Sequence, residues 1–174
     1  MSAVLRIVAI DPGPTESAVV VYLPEGKIPT FHLKAPNQDL LGVLWDLGGV
    51  QPAETACVVE EMVSYGITAG RSMFQTCIWS GRFAQHWKIR TGREVNWLPR
   101  PVIKVQLCGT PRATDKDIRE ELIHRFGEPG TKKAPGITYG FAGDTWAALA
   151  VAVAYTERAH ALEVDHATHR LSQP

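Results

Sequence analysis

Three carboxylates in this sequence sit where chemistry could gather. Asp11 closes the apolar run "VLRIVAID" ahead of Pro12 and Gly13, Glu60 ends the run "ACVVEE", and Asp144 opens the alanine-rich segment "DTWAALAVAVAY". Taken singly, each has an ordinary structural use as a turn former, a solvated strand end, or an acid at the positive end of a helix dipole. Taken together, two strand ends and a helix start can converge on one patch. Three oxygen ligands with open positions suit Mg²⁺, which keeps several waters and bridges substrate phosphates. Two such ions about 4 Å apart activate a water and stabilise the leaving oxygen in phosphodiester hydrolysis. Like charges this close repel without a cation, so the patch should weaken the metal-free fold. Glu61 adjoins Glu60 and is a further candidate ligand, although alternation along a strand lets only one of them face the site.

The elements that must position these acids can be read from β-branched runs and their Gly, Pro or polar borders. Strands are expected at 4–10, 17–23, 28–33, 56–60 and 94–98. One helix is expected from about Asn37 to Leu47 and a long one from about Gly70 to Ile89. A third follows Thr114, whose hydroxyl can cap it with Asp117 three residues on, and ends at Gly127. The last begins near Ala142 or Asp144 and continues to about Ala161, leaving 162–174 as a flexible tail. Three early strands followed by strands alternating with helices predict one α/β domain over 1–174, with a mixed five-stranded sheet opened by an antiparallel hairpin. The Gly- and Pro-rich stretch "GEPGTKKAPGITYG" reads as a loop without regular structure, and it carries Lys132 and Lys133 as a basic lip.

The long helix is apolar on two sides. At about 100° per residue, Met73, Phe74, Cys77, Ile78, Gly81 and Ala84 fall on one side, with Trp79, Phe83 and Trp87 roughly opposite. Both sides must be covered, one by the sheet and the other by a second copy of the chain, so a homodimer is expected. Net charge is zero, but its distribution is uneven. Between Arg71 and Lys133 there are 13 Lys and Arg against 6 Asp and Glu, while the rest holds 5 against 12. That pattern suits a middle segment that meets a polyanion and flanks that furnish carboxylates, with Arg71, Arg112, Lys132 and Lys133 as candidate contacts to that polyanion. The longest uncharged apolar stretch, "WAALAVAVAY", is about half a membrane span, so a soluble, cytoplasmic protein with no membrane partner is expected. Cys57, Cys77 and Cys108 are too scattered for a disulfide framework or zinc site and read as buried free thiols.

The order of these pieces resembles the RuvC-like Holliday junction resolvases of the ribonuclease H-like superfamily. The resemblance spans nearly the whole chain: "IDPG" on the first strand, "VVEE" on a central strand, a long apolar helix, then "VIKVQLCGTPRATDKDIREEL", then the acid opening "DTWAALAVA". It implies a dimeric, Mg²⁺-dependent endonuclease with two ions, for which Mn²⁺ can stand in, that nicks two opposed strands of a four-way DNA junction. Asp11, Glu60 and Asp144 match the family's metal-binding acids, Lys104 and Lys116 match basic residues near the scissile phosphate, and the long helix matches the dimer interface, to which Trp79, Phe83 and Trp87 are assigned. Two positions depart from the pattern. Phe141 stands where the family has a second acid or a His three residues before the last Asp, and Val63 stands where it has an aromatic after the strand glutamate, leaving Tyr65 as the nearest side chain for unstacking bases. The competing readings are a related nuclease acting on flap DNA or RNA, a junction-binding protein without catalysis, and a nucleotide-hydrolysing domain of the actin and sugar-kinase type.

Overall fold

The computed structural model describes residues 6–63, 66 and 69–171. Strands β1 (Arg6–Asp11) and β2 (Glu16–Leu23) form the antiparallel hairpin, and β3 (Ile28–Pro36) pairs antiparallel with the far side of β2. Helix α1 (Asn37–Gly48) leads to β4 (Thr55–Glu61), which lies parallel to β1, and helix α2 (Arg71–Thr91) leads to β5 (Asn96–Pro99), parallel to β4. The sheet order is therefore β3-β2-β1-β4-β5. Beyond it come α3 (Arg100–Cys108), α4 (Asp115–Phe126), a small hairpin of β6 (Gly130–Thr131) and β7 (Ala134–Pro135), and α5 (Asp144–Leu171).

The central strands are apolar on both faces because both faces are covered. Ile7, Ala9, Ala18, Val20 and Val58 pack under α3, α4 and α5, while Val8, Ile10, Val19, Val21, Cys57 and Val59 pack under α1 and α2. In α5, Ala148, Leu149, Ala150, Val151, Ala152 and Ala154 are fully buried. The four alanines among them let this helix lie close across the sheet, which fixes where its first residue, Asp144, ends up. Among the described residues no helix is long and apolar enough to cross a membrane.

Several expectations need correction. Helix α3 adds to the expected elements: Pro99 and Pro101 flank its first residue, and a proline in the first turn costs nothing because its N–H would be unpaired there. The stretch read as structureless contains the β6–β7 hairpin, and α5 runs on to Leu171 past Ala161. Of the cysteines only Cys57 is buried; Cys77 is exposed. The two sides of α2 are the reverse of the expectation. Thr76, Ser80, Phe83 and Trp87 form its buried stripe, with Phe83 and Trp87 inside the core against the sheet, so neither can belong to a dimer interface. Trp79 is half-buried beside Phe83 with the Arg82 guanidinium 4.0 Å above its ring. The outward side instead presents Phe74 and Ile78, 60% and 61% exposed.

Candidate active site

The backbone that carries Asp11 is fixed by a turn with no spare room. A Cβ on Gly13 would stand 2.2 Å from the Glu16 carbonyl oxygen, so only glycine fits there. The Gly13 N–H donates to Ser17 Oγ at 3.0 Å, the Ser17 hydroxyl donates to Asn37 Oδ1 at 2.6 Å, and Asn37 Nδ2 donates back to the Gly13 carbonyl at 2.9 Å. Ser17 and Asn37 are both buried. Removing one member strands the others without water, so Asn37→Ala is expected to lower unfolding stability by about 1–3 kcal/mol in denaturant titration. A loss well below that range would mean that the loop re-forms without the network.

Register then sets the acids side by side. The last parallel pair of β1 and β4 is Ile10 with Val59, so Asp11 and Glu60 follow as the next pair. Both point to the face already marked by Ala9 and Val58, which is the face α5 covers. The N-terminus of α5 brings Asp144 to the same end, where the Thr145 hydroxyl accepts from the Ala142 N–H at 2.8 Å and steadies the helix start. Asp11, Glu60 and Asp144 line one open cleft of about 590 Å³, together with Arg100, Asp115, Lys116, Arg119 and Trp146.

The electrostatics are those of acids short of positive charge. Burial, then the charges of Glu60 and Asp144, push the Asp11 carboxyl up to about 8, with Arg100 pulling the other way. Glu60 is also raised by burial, offset by Arg100 and more weakly by Lys104. Two of the three acids are partnered by this chain's own cations. The Arg100 guanidinium lies 3.0 Å from Glu60 and also pairs with Asp115, and Lys34 Nζ lies 2.9 Å from Asp144 and 3.4 Å from Glu16. Among the described residues no three His, Cys, Asp or Glu side chains form a ready-made metal cage. The donor set nevertheless fits a hard divalent cation: it is all oxygen, and burial with the neighbouring acids raises Asp11, a shift that added positive charge would reverse.

Glu61 is corrected by alternation. It is exposed on the opposite side of β4, lining a shallow groove with Met62, Cys77 and Trp97, and cannot replace Glu60 in the cleft. Lys116 lines the cleft and pairs with Glu120 at 3.5 Å, whereas Lys104 stands on α3, near enough to Glu60 to influence its carboxyl. Arg71, Arg112, Lys132 and Lys133 are exposed and lie outside the cleft lining. Tyr65 lies outside the described residues. Phe141 is a core side chain, with ring centroids 4.1 Å from His32 and 5.5 Å from Trp146.

Sequence reasoning missed Arg100, Asp115 and Lys34. Lys34 was legible in principle, because Asp11 pairs with Ala18 and Ala18 with Lys34, which sets the lysine on the same face two strands away. Asp115 opens α4 inside the recognised capping box. Arg100 follows β5 directly, at the strand end that points toward the acids.

No protein-family model and no curated protein matches the chain. Solved structures do. The Thermus thermophilus RuvC structure superposes with a TM-score of 0.68 at 18% identity, covering 89% of this chain and 95% of that one. T. thermophilus RuvC in complex with a Holliday junction substrate superposes with a TM-score of 0.68 at 17% identity, covering 89% and 94%. The mixed five-stranded sheet flanked by five helices is thus the ribonuclease H-like fold of RuvC.

Proposed function

We propose that this chain is a divalent-cation-dependent endodeoxyribonuclease that resolves four-way DNA junctions by paired nicks, working as a homodimer. The observation that carries the reading is the convergence of Asp11, Glu60 and Asp144 on one cleft with a basic wall. The RuvC structure of the same fold with a Holliday junction makes branched DNA the substrate of first choice. Asp11, Glu60 and Asp144 would hold Mg²⁺, as two ions, with Mn²⁺ able to stand in. When bound, the cation supplies water activation and neutralises charge on the phosphate.

The chain's own residues do the rest. Arg100, Lys104 and Lys116 place positive charge where the pentacovalent phosphate would build up negative charge. Arg71, Arg112, Lys132 and Lys133 would meet the backbone farther out, so binding should weaken steeply with salt. The outward side of α2, with Phe74 and Ile78, would be covered by the second copy, which sets two clefts against two opposed strands. A DNA substrate accords with a cytoplasmic place of action.

A second reading, junction binding without cleavage, is favoured by Phe141, since a core aromatic leaves one acid fewer than a resolvase of this kind would be expected to have. Labelled four-way junction, linear duplex, flap DNA and an RNA–DNA hybrid, each incubated with the protein in Mg²⁺, separate these. Symmetric paired nicks in the junction alone are the expected result. A junction bound but never cut would favour the binding reading, and cutting of the hybrid or flap would overturn the substrate.

A further inference from the structure

Arg100 is the side chain in the cleft with the most at stake. Its guanidinium is three-quarters buried, with a side-chain exposure of 25%, between a Glu60 side chain that is 10% exposed and an Asp115 side chain that is 82% exposed. Glu60 therefore shows few oxygen surfaces, and one of them is taken by Arg100. A divalent cation and this guanidinium compete for the same carboxylate. The ion pair on Asp144, at the edge of the cleft, differs in kind. Lys34 is exposed and already shared with Glu16, so giving up Asp144 would leave it in water with a second partner at hand.

Release of Arg100 from Glu60 would leave a largely buried, planar cation with unmet donors, an unfavourable state unless another anion replaces the carboxylate. Asp115 holds the guanidinium through a different nitrogen from the outer side of the cleft, so the side chain stays in place when Glu60 is withdrawn. Five N–H donors in a rigid fork can keep one carboxylate and accept a second oxyanion at once. The anion that a nucleic acid brings into the cleft is a phosphate.

Building on the nuclease reading, we propose that Arg100 is a tethered guanidinium that exchanges Glu60 for a DNA phosphate when Glu60 is committed to a divalent cation, with Asp115 as its positioning residue. The exchange couples the two ligands. Without cation, Arg100 guards Glu60 and offers the DNA nothing; with cation, the same charge becomes a phosphate contact.

The test uses Arg100→Gln, which keeps much of the side chain's bulk, and Asp115→Asn, both checked for folding by circular dichroism. Mn²⁺ binding without DNA is followed by electron paramagnetic resonance, and four-way junction binding is measured against salt concentration in Ca²⁺ and in EDTA. Arg100→Gln is expected to bind Mn²⁺ roughly tenfold more tightly, because the competing cation is gone. Its slope of log affinity against log salt should be smaller than that of the wild type by about 0.9 in Ca²⁺ and unchanged in EDTA. Asp115→Asn should show the same loss of slope in Ca²⁺ with Mn²⁺ affinity near the wild type. Weaker or unchanged Mn²⁺ binding in Arg100→Gln, or a slope change that is absent in Ca²⁺ or equal in both conditions, overturns the exchange. These results apply to a wild type that prefers junctions and binds Mn²⁺. A wild type that does neither defeats the nuclease reading itself, and this proposal with it.

Discussion

Asp11→Asn is expected to abolish divalent-dependent nicking of the junction while making the metal-free protein more stable than the wild type at pH 8. The first half follows from position: Asp11 lines the cleft with Glu60 and Asp144 and feels the charge of both, and its loss removes the oxygen donor they share as a neighbour. Loss of charge stabilisation of that kind corresponds to several kcal/mol of barrier, on the order of 10³-fold in rate. The second half follows from proton linkage. In the unfolded chain the carboxyl titrates near 3.8, and in the metal-free native state near about 8. Between those values the native protein holds a proton that the unfolded chain has released, so stability falls as pH rises from about 4 to 8 and levels off above. Glu60, also raised, acts in the same direction. An uncharged amide of the same shape escapes this penalty. Since each unit of displacement corresponds to about 1.4 kcal/mol, the gain at pH 8 should reach a few kcal/mol and vanish near pH 4. Thermal unfolding of both proteins across that range in EDTA measures the difference, and added Mg²⁺ should flatten the wild-type curve alone. A variant less stable than the wild type at pH 8, or one that still nicks, would contradict the assignment.

What was legible in the sequence divides along a physical line. Strands β1, β2 and β4 could be read because a strand buried on both faces writes itself as an uninterrupted apolar run, and the three acids could be read because each ends or starts such a run. The helix after Thr114 was legible through its capping box, a contact between neighbours three residues apart. Arg100 was not legible, because its meaning lies in partners 40 and 15 residues away. Helix α3 was hidden by prolines that usually end helices and here start one. Lys34 was lost because β3 continues through a half-exposed stretch where alternation fades, so the expected strand stops three residues short of Pro36 and leaves the lysine out. The choice between Glu60 and Glu61 needed the register of β4 against β1, which a single strand cannot reveal.

The same limit governs α2, where periodicity exposed two apolar sides but could not say which one faces the sheet. Phe83→Ala and Trp87→Ala are expected to destabilise each subunit by about 3–5 kcal/mol, because both side chains are enclosed in the core and truncation leaves a cavity beside Val8, Val19 and Val59. Ile78→Asp should instead spare the subunit and break the association. A charge on a side chain 61% exposed leaves the subunit core untouched, so unfolding in denaturant should shift by less than about 0.5 kcal/mol per subunit, apart from any contribution of association. In a dimer joined along this face, however, the aspartate would be buried without a partner, and association would be lost. Sedimentation at micromolar concentration should show a dimer for the wild type and a monomer for Ile78→Asp. On the junction, the variant should still nick single strands at reduced rate while paired nicks disappear, since one chain supplies all three acids of its cleft but two opposed strands need two clefts. A wild type that sediments as a monomer, or an Ile78→Asp variant that remains dimeric, would move the interface elsewhere on the surface and leave the exposed Phe74 and Ile78 in need of another partner.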